Sequence, residues 1–285
     1  MKKTMKRIFA IIAVLALCLS LAACGSSGGD EITVLSREEG SGTRSAFVEL
    51  TGIEQDKVDR TTAKAEINSS TAVVAQTVAG NKNAIGYISL GSLDESVKAL
   101  AIDGVTPSVE TVGNGTYPIA RPFNVATKGD LSEAAQDFLN FILSDEGQAV
   151  ITGKGYVSNG STGPFVSTNP TGTVKVAGSS SVSPVMEKLA EAYMSANSAV
   201  KIEIQTSDSS NGMTSTAEGL CDIGMASRAV KDSEKEKGLV ETTICMDGIA
   251  VIVDQDNACD SLTLEQVRQI FTGELTEWPQ PMSNS

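Results

Sequence analysis

The 285-residue chain has no histidine. This removes Ser–His and Cys–His nucleophilic pairs and histidine-based metal sites together. No Gly-x-x-x-x-Gly-Lys-Ser/Thr loop is present, so nucleotide hydrolysis lacks its usual phosphate cradle. Basic residues are few: 22 Lys and Arg against 35 Asp and Glu, a formal charge of −13. A chain this acidic has no general basic surface for nucleic acid, and any anion site must work through local donors. Cysteine is sparse at five residues. Cys18 and Cys24 fall in the leading segment, and the remaining Cys221, Cys245 and Cys259 cannot all pair, so no disulfide framework exists and at most one bridge forms. The longest apolar run, Ile8 to Leu21, is too short and too early for a membrane span.

That run does have the form of an export signal, with Lys2, Lys3, Lys6 and Arg7 ahead of it and Leu21-Ala22-Ala23-Cys24-Gly25 behind. The ending resembles a bacterial lipobox, which implies cleavage before Cys24 and acylation of its thiol. Residues 1–23 are then a signal peptide and 24–30 a flexible tether. Removal of 1–23 takes away four basic and no acidic residues, leaving a charge of −17.

The densest chemistry lies at Arg37-Glu38-Glu39-Gly40-Ser41-Gly42-Thr43-Arg44. An apolar run, Ile32-Thr33-Val34-Leu35, precedes it, and helix-like Ser45 to Leu50 follows. A strand entering a Gly- and hydroxyl-rich turn that opens a helix aims free N–H groups and the positive helix end at one point, which suits an oxyanion. Arg37 and Arg44 add charge, and glycine lets the backbone approach closely. A carboxylate, Glu38 or Glu39, repels an anion unless the ligand carries a proton to donate. A capped turn on a surface helix is the plain alternative for these eight residues.

The same unit recurs. Val174 to Ala177 leads through Gly178-Ser179-Ser180-Ser181 into a helix from Pro184 to Met194. Lys201 to Gln205 leads through Ser207-Asp208-Ser209-Ser210-Asn211-Gly212 into a helix ending near Leu220. Further helices are expected at Ser69–Gly80, Leu131–Leu143, Glu146–Thr152 and Leu264–Phe271. Strands are expected at Ala84–Leu90, Val97–Ile102, Asp222–Ala226, Leu239–Cys245 and Ile249–Asp254, with 117–123 extended and 153–172 a loop. Alternating strands and helices indicate α/β architecture. One serine at a helix start is an ordinary N-cap. Several such turns in one chain point to helix N-termini sharing a ligand at the carboxyl ends of strands.

The quoted turns, together with Asp222-Ile223-Gly224-Met225-Ala226-Ser227-Arg228, Phe271-Thr272-Gly273-Glu274-Leu275-Thr276-Glu277-Trp278 and Ala84-Ile85-Gly86-Tyr87, resemble the phosphate-binding proteins of high-affinity phosphate ABC transporters. The resemblance covers nearly all of 31–278, but the order differs: the family places the equivalent of 173–278 before that of 31–160. This looks like a circular permutation, with 160–172 joining the old ends. The family implies a two-lobe periplasmic-binding-protein fold, type II-like, each lobe a sheet flanked by helices, with the ligand in the interlobe cleft. Projected here, lobe one is 119–246, lobe two is 31–118 plus 247–285, and the hinge lies near Pro118 and Asp247. By motif, Ser180, Ser181 and Ser209 reach the anion from one lobe, and Arg37, Ser41, Gly42 and Thr43 from the other. Glu39 stands where many members have aspartate and would accept a proton from phosphate. Arg228 stands where better-known members have aspartate, and either contacts the ligand or pairs with Glu38 or Glu39.

The implied protein is a monomeric, lipid-anchored, extracytoplasmic solute-binding protein that delivers inorganic phosphate to ABC permease subunits. It needs no cofactor or metal, catalyses no reaction and binds no nucleic acid. A phosphate sensor or surface protein, or a phosphoester hydrolase using the same hydroxyl turns, are the alternatives.

Overall fold

The computed structural model describes residues 31–279. The expected signal peptide, Cys24 and the tether lie outside the described residues. In chain order the main elements are β1 (Thr33–Arg37), α1 (Gly42–Leu50), β2 (Glu66–Asn68), α2 (Thr71–Ala79), β3 (Ala84–Ser89), β4 (Val97–Ala99) and β5 (Ala120–Lys128). There follow α3 (Glu133–Leu143), α4 (Asp145–Gly153), β6 (Gly172–Ser179), α5 (Ser183–Ala196), β7 (Val200–Ser207), α6 (Ser209–Ala217), β8 (Ile223–Ala226), β9 (Leu239–Asp254) and α7 (Leu264–Thr272). No helix among the described residues is long and apolar enough to cross a membrane.

The strands form one mixed sheet in the order β7-β6-β8-β5-β9-β3-β1-β2, with β4 also paired to β9. Both ends are parallel, β6 with β7 and β8, and β1 with β2 and β3. The middle is antiparallel: β5 runs against both β8 and β9, and β9 runs against β3, so the two parallel ends run in opposite directions. Parallel strands joined by crossover helices bury both faces, which explains the runs Ala84–Ser89 and Ile223–Ala226, buried at every position.

Two lobes share this sheet. One core gathers Phe123, Phe138, Ile142, Val176, Met186, Leu189, Tyr193 and Ile223 under α3, α4 and α5. The other gathers Phe47, Tyr87, Ile102, Ile249, Val251, Ile270 and Phe271 under α1 and α7, with a satellite of Leu35, Val74, Val78 and Ile252 under α2. Phe47 stacks on Tyr87 at 3.9 Å between ring centroids, and Phe271 meets Phe47 edge-on at 4.8 Å.

The sequence reading broke β9 in two at Met246-Asp247-Gly248. The structure runs it unbroken for 16 residues. Its first part pairs with β5 as far as Gly248 opposite Ala120, and its second pairs with β3 from Ile249 opposite Ser89. At the crossover Asp247 lies opposite Arg121, and the two side chains meet at 3.2 Å, each 1% exposed. Burial pushes the Asp247 carboxyl up to about 6, against the pull of Arg121 and the Ser89 hydroxyl.

The 160–172 segment has no helix and strand only at Gly172, as expected of a loop, yet it is pinned. The Ser167 hydroxyl and Thr168 N–H donate to buried Asp137 at 2.7 and 2.9 Å, and Tyr193 donates to the same carboxylate at 2.8 Å. Burial pushes Asp137 up, but these donors outweigh it and hold the group below its ordinary value. Phe165 packs edge-on against Phe141.

Candidate functional site

Each repeated turn is a helix start. Ser41 caps α1 by accepting the Arg44 N–H, so Gly42 and Thr43 form the first turn of the helix rather than a loop before it. Asp208 caps α6, so Ser209 to Gly212 are its first turn. Ser70 caps α2. α5 has no side-chain cap, and Pro184 occupies its first turn.

These four N-termini meet. The Thr43 hydroxyl of α1 lies 2.8 Å from that of Ser181, ahead of α5. The Thr71 hydroxyl of α2 lies 2.9 Å from the same Ser181 oxygen. Ser227, at the end of β8, receives the Ser179 hydroxyl at 3.0 Å and donates its N–H to Ser209 of α6 at 3.1 Å. Thr43, Ser181, Ser209 and Ser227 are fully buried. Four positive helix ends and a ring of hydroxyl donors around one point form a short-range anion trap, effective despite the acidic chain.

Arg37, at the end of β1, supplies the charge. It is 2% exposed. Its Nη2 donates to Ser180 at 3.0 Å and its Nη1 to Thr71 at 3.3 Å. Glu38 takes Nε and Nη2 in a two-point bond at 2.8 and 2.7 Å. Tyr87 holds the strand end by receiving the Arg37 N–H at 3.1 Å, and its hydroxyl lies 2.9 Å from that of Ser36.

Two glycines make the convergence possible. A Cβ on Gly42 would stand 2.4 Å from the Ser209 hydroxyl and 2.7 Å from that of Ser227. Gly178 sits at φ +132°, and a Cβ there would stand 2.4 Å from the Met225 carbonyl. Gly178 thereby lets α6 pack against the end of β6.

The chain belongs to the PBP superfamily. The sequence pattern of the PBP superfamily domain matches residues 23–146 and 165–285. The phosphate-binding protein PstS 2 of Streptococcus agalactiae serotype V is 48% identical over 273 residues, 94% of this chain and 92% of the relative. PstS 2 of Streptococcus pneumoniae serotype 4 is 46% identical over 270 residues, 90% of this chain and 92% of the relative. A crystal structure of a phosphate ABC transporter, phosphate-binding protein from Streptococcus pneumoniae superposes with a TM-score of 0.69 at 46% identity, covering 87% of this chain and 98% of the other.

Of the residues expected at the site, Arg37, Thr43, Ser180 and Ser181 are joined by direct contacts. Gly42 abuts Ser209, and Ser41 anchors the same helix turn. Glu39 is exposed, and the carboxylate drawn inward is Glu38. Arg228 pairs with neither: its guanidinium grips Glu234 at 2.9 and 2.8 Å and reaches Ser210 at 3.3 Å. Burial pushes Glu234 up, but the Arg228 hydrogen bond and the Lys231 N–H outweigh it and hold the carboxyl below its ordinary value. Arg44 turns away, onto Asp59 at 2.7 Å and the Arg37 carbonyl at 2.9 Å. Sequence reasoning passed over Thr71, Ser179 and Ser227. Ser69-Ser70-Thr71 at a predicted helix start was the available signal for the first.

Proposed function

We propose that the protein captures inorganic phosphate outside the cytoplasm and hands it to the permease subunits of an ABC transporter, binding without covalent chemistry and acting as a monomer. The observation that carries this reading is the meeting of four helix N-termini, seven buried hydroxyls (Thr43, Thr71, Ser179, Ser180, Ser181, Ser209 and Ser227) and the Arg37 guanidinium. The names of the similar streptococcal proteins agree with it. The contacts are proposed as Arg37, Ser41, Gly42 and Thr43 from lobe two and Ser180, Ser181 and Ser209 from lobe one, with boundaries at 31–118 plus 247–285 and 119–246. The Arg121–Asp247 crossing would be the hinge. Discrimination against sulfate falls to Glu38. A carboxylate beside Arg37 accepts the proton that phosphate still carries at neutral pH and that sulfate lacks.

Cys24 is proposed to carry the lipid anchor, since two acyl chains hold a protein on a bilayer where one barely does. The permuted order is proposed to be compatible with the fold. The Ile32 N–H donates to the Thr276 carbonyl at 2.8 Å, and Ile32 and Trp278 pack on one core, which favours a join between these regions in the family's order. Calorimetry of the purified protein with phosphate, sulfate and arsenate tests the central claim. Phosphate binding with sulfate at least tenfold weaker is expected, and no phosphate binding, or sulfate bound as tightly, overturns it.

A further inference from the structure

We infer that Thr71 is a further contact to the bound anion, supplied by a helix that the recognisable motifs do not include. The inference rests on the phosphate reading of the site. Thr71 is 3% exposed at the first position of α2. Its own helix has no use for its side chain, because Ser70 already caps α2 by accepting the Val73 N–H at 3.2 Å. The Thr71 contacts lead across to other segments instead. Its hydroxyl lies 2.9 Å from Ser181 Oγ and 3.5 Å from Ser180 Oγ, and it receives Arg37 Nη1 at 3.3 Å. Its N–H points at Ser180 Oγ from 3.4 Å.

Thr71 thus borders Arg37, Ser180 and Ser181 together, and these three come from both lobes. An anion small enough to engage all three at once brings one of its oxygens within reach of the Thr71 hydroxyl and N–H. The hydroxyl can donate to an unprotonated oxygen or accept from a protonated one, so it serves either protonation state of phosphate. A methyl group there would leave an ionic oxygen unpaired in a buried site, which is the costly direction.

The test compares wild type, Thr71→Val and Thr71→Ser by calorimetry with inorganic phosphate and by thermal melting with and without it. Thr71→Val keeps the shape and removes the hydroxyl. Its dissociation constant should rise by roughly tenfold to a hundredfold, the range for a hydrogen bond to a charged group. Thr71→Ser should stay within about threefold of wild type on the same principle, and all three proteins should be folded without phosphate by circular dichroism, with Thr71→Val melting lower because it gives up the Ser181 and Arg37 contacts. Thr71→Val binding phosphate within twofold of wild type overturns the inference. So does an equal loss in Thr71→Ser. Wild type that fails to bind phosphate overturns the functional reading itself, a separate outcome seen in the control.

Discussion

Gly42→Ala isolates closure of the site from stability of the fold. Gly42 begins α1 and does not have a positive φ, so alanine fits the local backbone. Within a helix alanine is favoured over glycine by up to about 1 kcal/mol, so the local conformation does not suffer. The cost arises across the site. The new Cβ would stand 2.4 Å from Ser209 Oγ, 2.7 Å from Ser227 Oγ and 3.1 Å from Arg228 Cγ, whereas ordinary contact begins at 3.4 Å. Relief requires α1 to withdraw from α6 and the end of β8 by about 1 Å. Such a shift takes the Thr43–Ser181 contact at 2.8 Å out of hydrogen-bond range and draws the Gly42 and Thr43 N–H groups back with it. An anion spanning the same groups would lose two or more charge-assisted bonds, each about 1.5–3 kcal/mol, or about 3–6 kcal/mol together. At about 1.4 kcal/mol per decade, phosphate affinity should fall by roughly 10²- to 10⁴-fold. Calorimetry gives the affinity, and circular dichroism with thermal melting checks that the ligand-free fold is intact. A folded Gly42→Ala protein that binds phosphate within threefold of wild type would refute the reasoning, because α1 and α6 would not then close on the ligand.

Four further outcomes are expected. Glu39→Gln should change phosphate affinity little, because Glu39 is exposed. Glu38→Gln breaks the two-point bond to Arg37 and removes the proposed proton acceptor, so the ligand-free melting temperature should fall and the preference for phosphate over sulfate should shrink; equal responses of the two variants would contradict the assignment. Asp247 has a folded pKa near 6 against about 3.9 unfolded, so the folded state holds the extra proton between them. Its contribution to stability is complete below about pH 4 and is lost as pH rises through 6; between pH 4.5 and 7 wild type should lose about 2 kcal/mol relative to Asp247→Asn in urea unfolding, and no change or the opposite sign would exclude the shift. Cys24→Ser should abolish membrane retention in a fractionated cell, and a processed protein still on the membrane would rule out the lipid anchor.

What the sequence made legible was local. The hydroxyl-rich turns could be grouped as one kind of unit leading into a helix, though the caps at Ser41 and Asp208 start those helices three to four residues earlier than the apolar pattern suggests. Apolar periodicity fixed α3 to within two residues at its start and located α2 and α7. Illegible features depend on partners far along the chain. Asp247 fell between the expected strands because a lone carboxylate inside a strand is costly; its partners, Arg121 and the Ser89 hydroxyl, lie more than a hundred positions away. Gly248 fell in the same gap between the expected strands, yet it sits within β9, where a Cβ would stand 2.8 Å from Val112 Cγ2. The choice between Glu38 and Glu39 was open for another reason: neighbours at the end of a strand point to opposite sides, and the sequence does not say which side holds Arg37. Arg228 was the miss that local reasoning could have caught, since Glu234 lies only six residues on, in the short helix Asp232–Lys235.

This locality bears on whether the proposed permuted order leaves the site intact. Each contributor is a self-contained unit in which a strand end, a cap and a helix start orient their own donors before any distant contact forms. The units converge because the two parallel sets run in opposite directions and each points its carboxyl ends, with the helix starts, toward the crossover in β9. Contacts such as Thr43–Ser181 and Thr71–Ser181 span more than a hundred positions but depend on sheet position rather than on which segment is made first. A chain carrying the same units in another order, joined through 160–172 at one end and near Ile32 and Thr276 at the other, brings the same atoms together. Its added cost is chiefly loop closure, which grows only as about 0.6 kcal/mol for each doubling of loop length.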